Sequence, residues 1–321
     1  MQQPKGLLTV AERPTSPPLR RTTAWTRLWR YRHLYLMLLP GLVYFALMKY
    51  GPLWYAQIAF KDFRPADGVL ASPWVGFKHF LDFFHSYYFT ALLSNTLIIS
   101  VLKLVIGLPP AIILALALHE TTARRLGRLV QTITYLPHFL SWVVMFGVLL
   151  ALLSPSQGLV NQAIKDFGGQ PVAFLTDPAL FRAVLVGSDI FKETGWSAIL
   201  YLAALIAVNP ALYEAASVDG ASRWQRIRHI SLPALTDVIV LVTLLRIGDI
   251  LDAGFNQIFV LYSVPVYSVA DVIDTWVYRQ GILNFQFALA AAVGLFKGVI
   301  GLLLILAANR LARRLTGKGL Y

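Results

Sequence analysis

Eight side chains that could do chemistry sit inside otherwise apolar segments, and they fall into two sets. Asp189, Lys192, Glu193 and Trp196 recur at three- and four-residue spacing, which puts them on one side of a helix. Arg246, Asp249, Asp252 and Asn256 are spaced three, three and four, which predicts a continuous polar stripe along one helix face. Ionisable groups at membrane depth are costly, so they either face a hydrated cavity or pair with each other. Two readings follow. The charges neutralise one another across helices, as Arg246 would with Glu193, or two stripes on adjacent segments line a polar pathway; taken together, the two stripes favour the pathway. Asn, Asp, Glu, Arg and Trp also suit sugars, because planar groups bridge hydroxyls and aromatic faces cover the apolar side of a ring. Asn95, Lys103 and Lys297 add to the intramembrane inventory.

Signals for catalysis are weak. Asp249-x-x-Asp252 has a spacing that a divalent cation could use, as in membrane transferases acting on phosphorylated lipids. A single carboxylate pair beside Arg246 is poor support for a metal site. The six histidines lack HExxH or H-x3-H spacing, so no metal ligand set emerges. Ser141 lies near His138, which is one helical turn and nothing more. No G-x4-GK-[ST] loop occurs, so the chain does not bind ATP in the P-loop manner. Cysteine is absent, which removes disulfides and thiol chemistry. No catalytic residue, metal or bound cofactor is expected.

The elements that must position these residues are membrane helices. The chain is 57% hydrophobic with 14% charged residues and a mean hydropathy of +0.62, too apolar for an ordinary soluble domain. Six apolar segments are long enough to span, at about 34–60, 90–118, 128–153, 182–208, 236–261 and 285–309. Gly51-Pro52 marks a place where the first can leave the bilayer. Pro109-Pro110 and Pro137 should bend their helices. Residues 1–23 read as a disordered tail. No cleavable signal peptide is expected, since the first 30 residues lack an early apolar core. Ala24 to Arg32 interleaves aromatic and basic residues in the manner of a helix lying in the headgroup region. Tail and interfacial helix (1–33), membrane domain (34–313) and C-terminal tail (314–321) complete the organisation, with no repeat and no second soluble domain.

The net charge of +12 is distributed as membrane orientation requires rather than as a nucleic-acid footprint. Seventeen Lys and Arg fall in the N-terminal tail, around Arg124 to Arg128, around Arg223 to Arg228 and after Arg310. Only five (Lys61, Arg64, Lys78, Lys165, Arg279) fall in the opposite loops. Both termini are therefore expected in the cytoplasm. On the other side, Lys61 to Phe89 is crowded with aromatics that either belong to an interfacial belt or form a docking surface. Ser154 to Phe181 is a polar loop with room for a short helix.

One cytoplasmic loop, Asn209 to Pro233, carries its own folding instructions. Asn209 is an N-cap and Pro210 suits the first helical position. Ala211 to Asp219 reads as two helical turns, Gly220 as a stop, and Ser222 with Gln225 as a capping box opening a second short helix. That second helix should end before Pro233, since proline disfavours helical geometry at Leu232.

This loop resembles the EAA loop of permease subunits in binding-protein-dependent ABC importers. Glu214-Ala215-Ala216, Asp219-Gly220-Ala221 and Ile230-x-Leu232-Pro233 match it in order and spacing, with Ile227 where many members have phenylalanine. LYLMLLPGLVYF, SPWVGFKHF, QTITYLPHFLSWV and DIFKETGWSAILYLAAL look like the oligosaccharide and polysaccharide branch of the maltose-type superfamily. The resemblance implies an all-α integral membrane protein with six transmembrane helices and the coupling loop between the fourth and fifth. It implies residence in a bacterial cytoplasmic membrane, a second permease forming a heterodimer, two ATPase subunits that carry ATP and Mg, and a solute-binding protein delivering an oligosaccharide, with alginate the particular candidate. Glu214, Ala215, Ala216, Asp219, Gly220, Arg226, Leu232 and Pro233 would make the ATPase contact, where a carboxylate at Glu214 could instead serve only its own helix dipole. A permease for peptides, amino acids or ions, a stand-alone secondary transporter, and a transferase using Asp249 and Asp252 are the competing readings.

Overall fold

A computed structural model describes residues 29–316 of the chain. The expected tail over 1–23, most of the interfacial helix and the end of the C-terminal tail lie outside the described residues. The chain divides into two compact units, 1–55 and 56–321. The described part of the first unit is helical, with α1 (Arg32–Phe45) running through a π turn (Ala46–Tyr50) into a 3-10 stretch that begins at Gly51. The helical backbone continues through Gly51-Pro52. The stretch Arg32–Phe60 is long and apolar enough to span.

The second unit is all-helical among its described residues apart from one isolated bridge between Lys61 and Trp74. Its helices are α2 (Gly68–Ala71), α3 (Lys78–Phe84), α4 (Phe89–Glu120), α5 (Arg124–Tyr135), α6 (Trp142–Leu153), α7 (Leu159–Asp166) and α8 (Pro178–Ile206). They continue with α9 (Pro210–Val218), α10 (Arg223–Arg226), α11 (Leu232–Gly248), α12 (Phe255–Leu261), α13 (Tyr267–Ala270), α14 (Ile273–Tyr278) and α15 (Phe287–Thr316). Across the described chain, four helical stretches are long and apolar enough to span, and six if each of two bent pairs counts as one.

The third segment bends near Pro137 as expected, α5 and α6 meeting at 109°. Pro137 sits in the 3-10 turn Leu136–Phe139, and Ser141 starts α6 afresh, its Oγ accepting from the Val144 N–H at 3.2 Å. Two other expectations need correction. The fifth segment is not one continuous helix. α11 stops at Gly248, and Ala253 (φ 51°) and Gly254 (φ 82°) turn left-handed before α12 begins. Last, the helix before Pro233 does not end. Ser231 and Leu232 keep right-handed helical geometry, and α10 passes through a π turn (Ile227–Ser231) into α11. The wider π turn makes room for a proline that donates no hydrogen bond. Pro109-Pro110 likewise lie within an unbroken α4.

Packing is close where small residues line up. Ala111, Ala115, Ala198, Tyr201, Leu205 and Leu235 form one buried cluster joining α4, α8 and α11. At Gly195 a Cβ would overlap the Thr134 carbonyl, so α8 and α5 cross backbone against backbone. A second cluster, including Ile99, Phe181, Leu185, Ala253 and Ile258, seats the broken part of the fifth segment against α4 and α8.

Candidate functional site

The knob at 209–233 is rigid for reasons visible atom by atom. Asn209 Oδ1 accepts from the Ala211 N–H at 3.0 Å. α9 ends with Gly220 at φ 78°, and the Gly220 and Ala221 N–H groups donate back to the Ser217 and Ala216 carbonyls at 3.2 and 2.9 Å. That is a Schellman closure, which a residue with a Cβ would strain. Ser222 and Gln225 form the reciprocal capping box at 3.3 and 2.7 Å. Arg226 Nη1 reaches Ser217 Oγ at 2.6 Å, and the Tyr213 hydroxyl meets that of fully buried Ser231 at 3.0 Å, so α9 is tied to the α10–α11 helix. Arg226 therefore holds the knob together, while Arg223 and Arg228 are exposed. Glu214, Ala215 and Asp219 are exposed, as are Leu212, Val218 (88%) and Trp224 (67%). A well-tied polar knob with apolar side chains standing outward has the character of a docking surface.

The intramembrane residues prove to be organised around the two helix breaks. At the break in the fifth segment, Lys103 of α4 donates to the Ala253 carbonyl at 2.9 Å, hydrogen-bonds Gln257 Oε1 and faces Asp189 at 3.6 Å. Gln257, 1% exposed, donates to the Leu185 carbonyl (2.7 Å) and Ser188 Oγ (2.9 Å). Backbone released by the break is thus given partners by side chains, as broken helices at membrane depth require. At the break between α5 and α6, Lys192 hydrogen-bonds the His138 carbonyl and lies 3.6 Å from Glu193. Glu193 holds His138 Nδ1 at 2.9 Å, and the His138 ring stacks on Trp196 at 4.3 Å between centroids.

The suggested pair of Arg246 with Glu193 does not form. Arg246 instead donates to Ser197 Oγ at 2.9 Å, because the α8 turn facing it carries serine while Glu193 is turned toward His138. Nor do Arg246, Asp249, Asp252 and Asn256 share one helix face, since the chain leaves the helix after Gly248, between the first and the second, and Asn256 lies on the next helix. Asp249 and Asp252 do come together with Lys297 at a cavity of about 320 Å³, floored by Gly294, Gly298 and Gly301 of α15. Lys297 Nζ is 2.6 Å from Asp274 and 3.9 Å from Asp252, leaving Asp252 more than half exposed. Trp196 and Asn256 do not line this cavity; both are exposed elsewhere. His138, Ser188, Ser197 and Gln257 were not singled out from sequence. The Ala253-Gly254 step was the available signal for Gln257. Nothing local marks His138, whose partner is 55 residues away.

The helical architecture agrees with what comparison with known proteins shows. Residues 107–317 match the model for the binding-protein-dependent transport system inner membrane component. The chain belongs to that family of ABC-transporter permeases. It is 44% identical over 295 residues, 92% of each chain, to the polygalacturonan/rhamnogalacturonan transport system permease protein YteP of Bacillus subtilis (strain 168). It is 43% identical to Protein LplB of the same organism, over 91% of this chain and 92% of that one. A chain of the crystal structure of a bacterial ABC transporter involved in the import of the acidic polysaccharide alginate superposes with a TM-score of 0.84. The two are 42% identical, over 91% of this chain and 99% of that one. A chain of a bacterial alginate ABC transporter in complex with alginate pentasaccharide-bound periplasmic protein gives 0.85 and 41%, over 93% and 100%.

Proposed function

We propose that this chain is the passive membrane subunit of an ATP-driven importer, forming with a second permease the path for an oligosaccharide, alginate or another uronate-rich chain being the leading cargo. A solute-binding protein delivers the sugar from outside. Two ATPase subunits, which alone bind ATP and Mg, seat on the knob at 209–233 from the cytoplasm of a bacterial cell. Both termini lie on that same side, in keeping with the placement of Lys and Arg.

The observation that carries the reading is the knob itself. Glu214 is exposed, with no ion pair or side-chain hydrogen bond among the described residues, and beside it are exposed Val218, Trp224, Arg223 and Arg228. The helix behind them is continuous into the fifth segment, with candidate-span bounds Arg223–Gly248. Force applied at α10 is therefore delivered to α11 without a hinge. Asp249 and Asp252, at the far end of that lever, and Trp196, on α8, are the chain's contributions to the substrate path. Asp189, Lys192 and Glu193 serve it by holding the breaks in shape, Arg246 by tying α11 to Ser197 of α8, and Asn256 is a further exposed polar contact.

The test is transport-coupled ATP hydrolysis by the reconstituted importer. Gly220→Pro cannot adopt φ 78°, and Glu214→Ala combined with Arg226→Ala and Arg228→Ala removes three of the knob's charges, leaving Asp219 and Arg223. Both variants should insert normally yet lose sugar-stimulated hydrolysis. Wild-type coupling in both would remove the knob from the mechanism. Cargo other than sugar is addressed by screening the cognate binding protein against peptides, amino acids and oligosaccharides. Turnover of a phosphorylated lipid by the purified chain alone would instead favour a transferase at Asp249 and Asp252.

A further inference from the structure

Where α4 begins, a second cavity of about 470 Å³ opens, within the range of small-molecule sites. Its lining includes Tyr87, Tyr88, Asn95, Tyr267, Trp276 and Arg279. Tyr87 and Tyr88 are 92% and 54% exposed. Trp276 is 4% exposed, yet its indole N–H has no hydrogen-bond partner. A buried donor without an acceptor is unfavourable, which marks this N–H as the unsatisfied group among the lining residues.

The rest of the lining is already held in place. Asn95 donates to the Ser268 and Asp271 carbonyls at 3.2 and 3.0 Å and accepts from Arg182 at 2.8 Å, which fixes α13 against α4. Arg279 grips Asp271 through two hydrogen bonds, of 2.9 and 2.5 Å, and lies over the Tyr267 ring at 4.9 Å. Burial works against its charge, but the bonds to Asp271 and Tyr262 outweigh that and hold the guanidinium above the ordinary arginine pKa. The one cation and the one anion lining the cavity are thus spent on each other. The cavity presents aromatic faces and hydrogen-bond donors without net charge.

We propose that this cavity is an entry subsite for a single pyranose ring of the incoming oligosaccharide, read through its hydroxyls and not through a carboxylate. The tyrosine faces cover the apolar side of the ring, and the Trp276 N–H and the free edge of the Arg279 guanidinium donate to its hydroxyls. The inference rests on the oligosaccharide reading and on this end of the helices facing outward.

The complete importer, reconstituted with its binding protein, is offered alginate, oligogalacturonate and maltose-series pentasaccharides. Uptake and tryptophan emission are followed together. For whichever sugar is transported, Tyr88→Ala and Trp276→Phe should raise KM about five- to tenfold with little change in kcat, the loss of one good contact each. The sugar-dependent change in emission should shrink in Trp276→Phe. Should a transported sugar show wild-type KM in Tyr88→Ala and an undiminished emission change in Trp276→Phe, the subsite is overturned and the tyrosines are bilayer-interface residues. If none of the three sugars is transported by the wild type, the oligosaccharide reading fails first, and it fails independently of the variants.

Discussion

Lys103 shows how one buried charge can be structural and still serve function. It is 9% exposed and bonds a backbone carbonyl that the break at Ala253 leaves without a helical partner. Removing one partner of such a cluster leaves Asp189 and Gln257 uncompensated, which in a buried setting costs about 3 kcal/mol or more. Lys103→Met should therefore lower the Tm of the detergent-solubilised importer markedly, while Asp189→Asn, which keeps a hydrogen-bonding group, should lower it less. An unchanged Tm in Lys103→Met would mean the break is held by backbone geometry alone. Gly254 is the companion position: it combines φ 82° with a Cβ position that Lys103 Nζ already occupies. Lys103 itself was legible as an unusual intramembrane cation. Its task was not, because the carbonyl it bonds is 150 residues away.

Among elements, the breaks matter more than the helices. Apolar run length predicted six spans, with bends at Pro109-Pro110 and Pro137; most of their positions hold, but the third segment turns by 109° and the fifth is interrupted. Pro137 signalled the first interruption without its extent, since a proline removes one donor whereas a 109° turn also needs Ser141 as a new cap and Lys192 and Glu193 to satisfy the corner. At Leu232-Pro233 the reverse occurred: a local rule predicted a stop, and a π turn carried the helix through. The α5–α8 crossing gives a sharp check at this scale. Gly195→Leu must push Thr134 aside and should destabilise by roughly 1–3 kcal/mol or block assembly, as overpacking does. Gly147→Leu, with nothing within 4 Å, is the matched control and should assemble normally. Thermal unfolding and the yield of assembled importer measure both.

At the largest scale, within residues 56–321 the knob is joined by a continuous helix to a broken segment whose Asp249 and Asp252 border a cavity with Lys297, the lever that the proposed function requires. Substituting Asn at both aspartates should depress uptake at least several-fold while leaving assembly and Tm near wild type, because exposed carboxylates contribute little to stability. Unaltered uptake would move the path elsewhere. By itself the sequence determined the membrane class, the expected orientation, the knob and its caps, because these depend on composition, charge placement and contacts within a few residues. Tertiary structure alone decided which intramembrane charges are consumed holding the breaks and which still face a cavity. Lys103, Asp189 and Gln257, or His138 and Glu193, are brought together only when helices distant in the chain pack, and no spacing along the chain encodes that meeting.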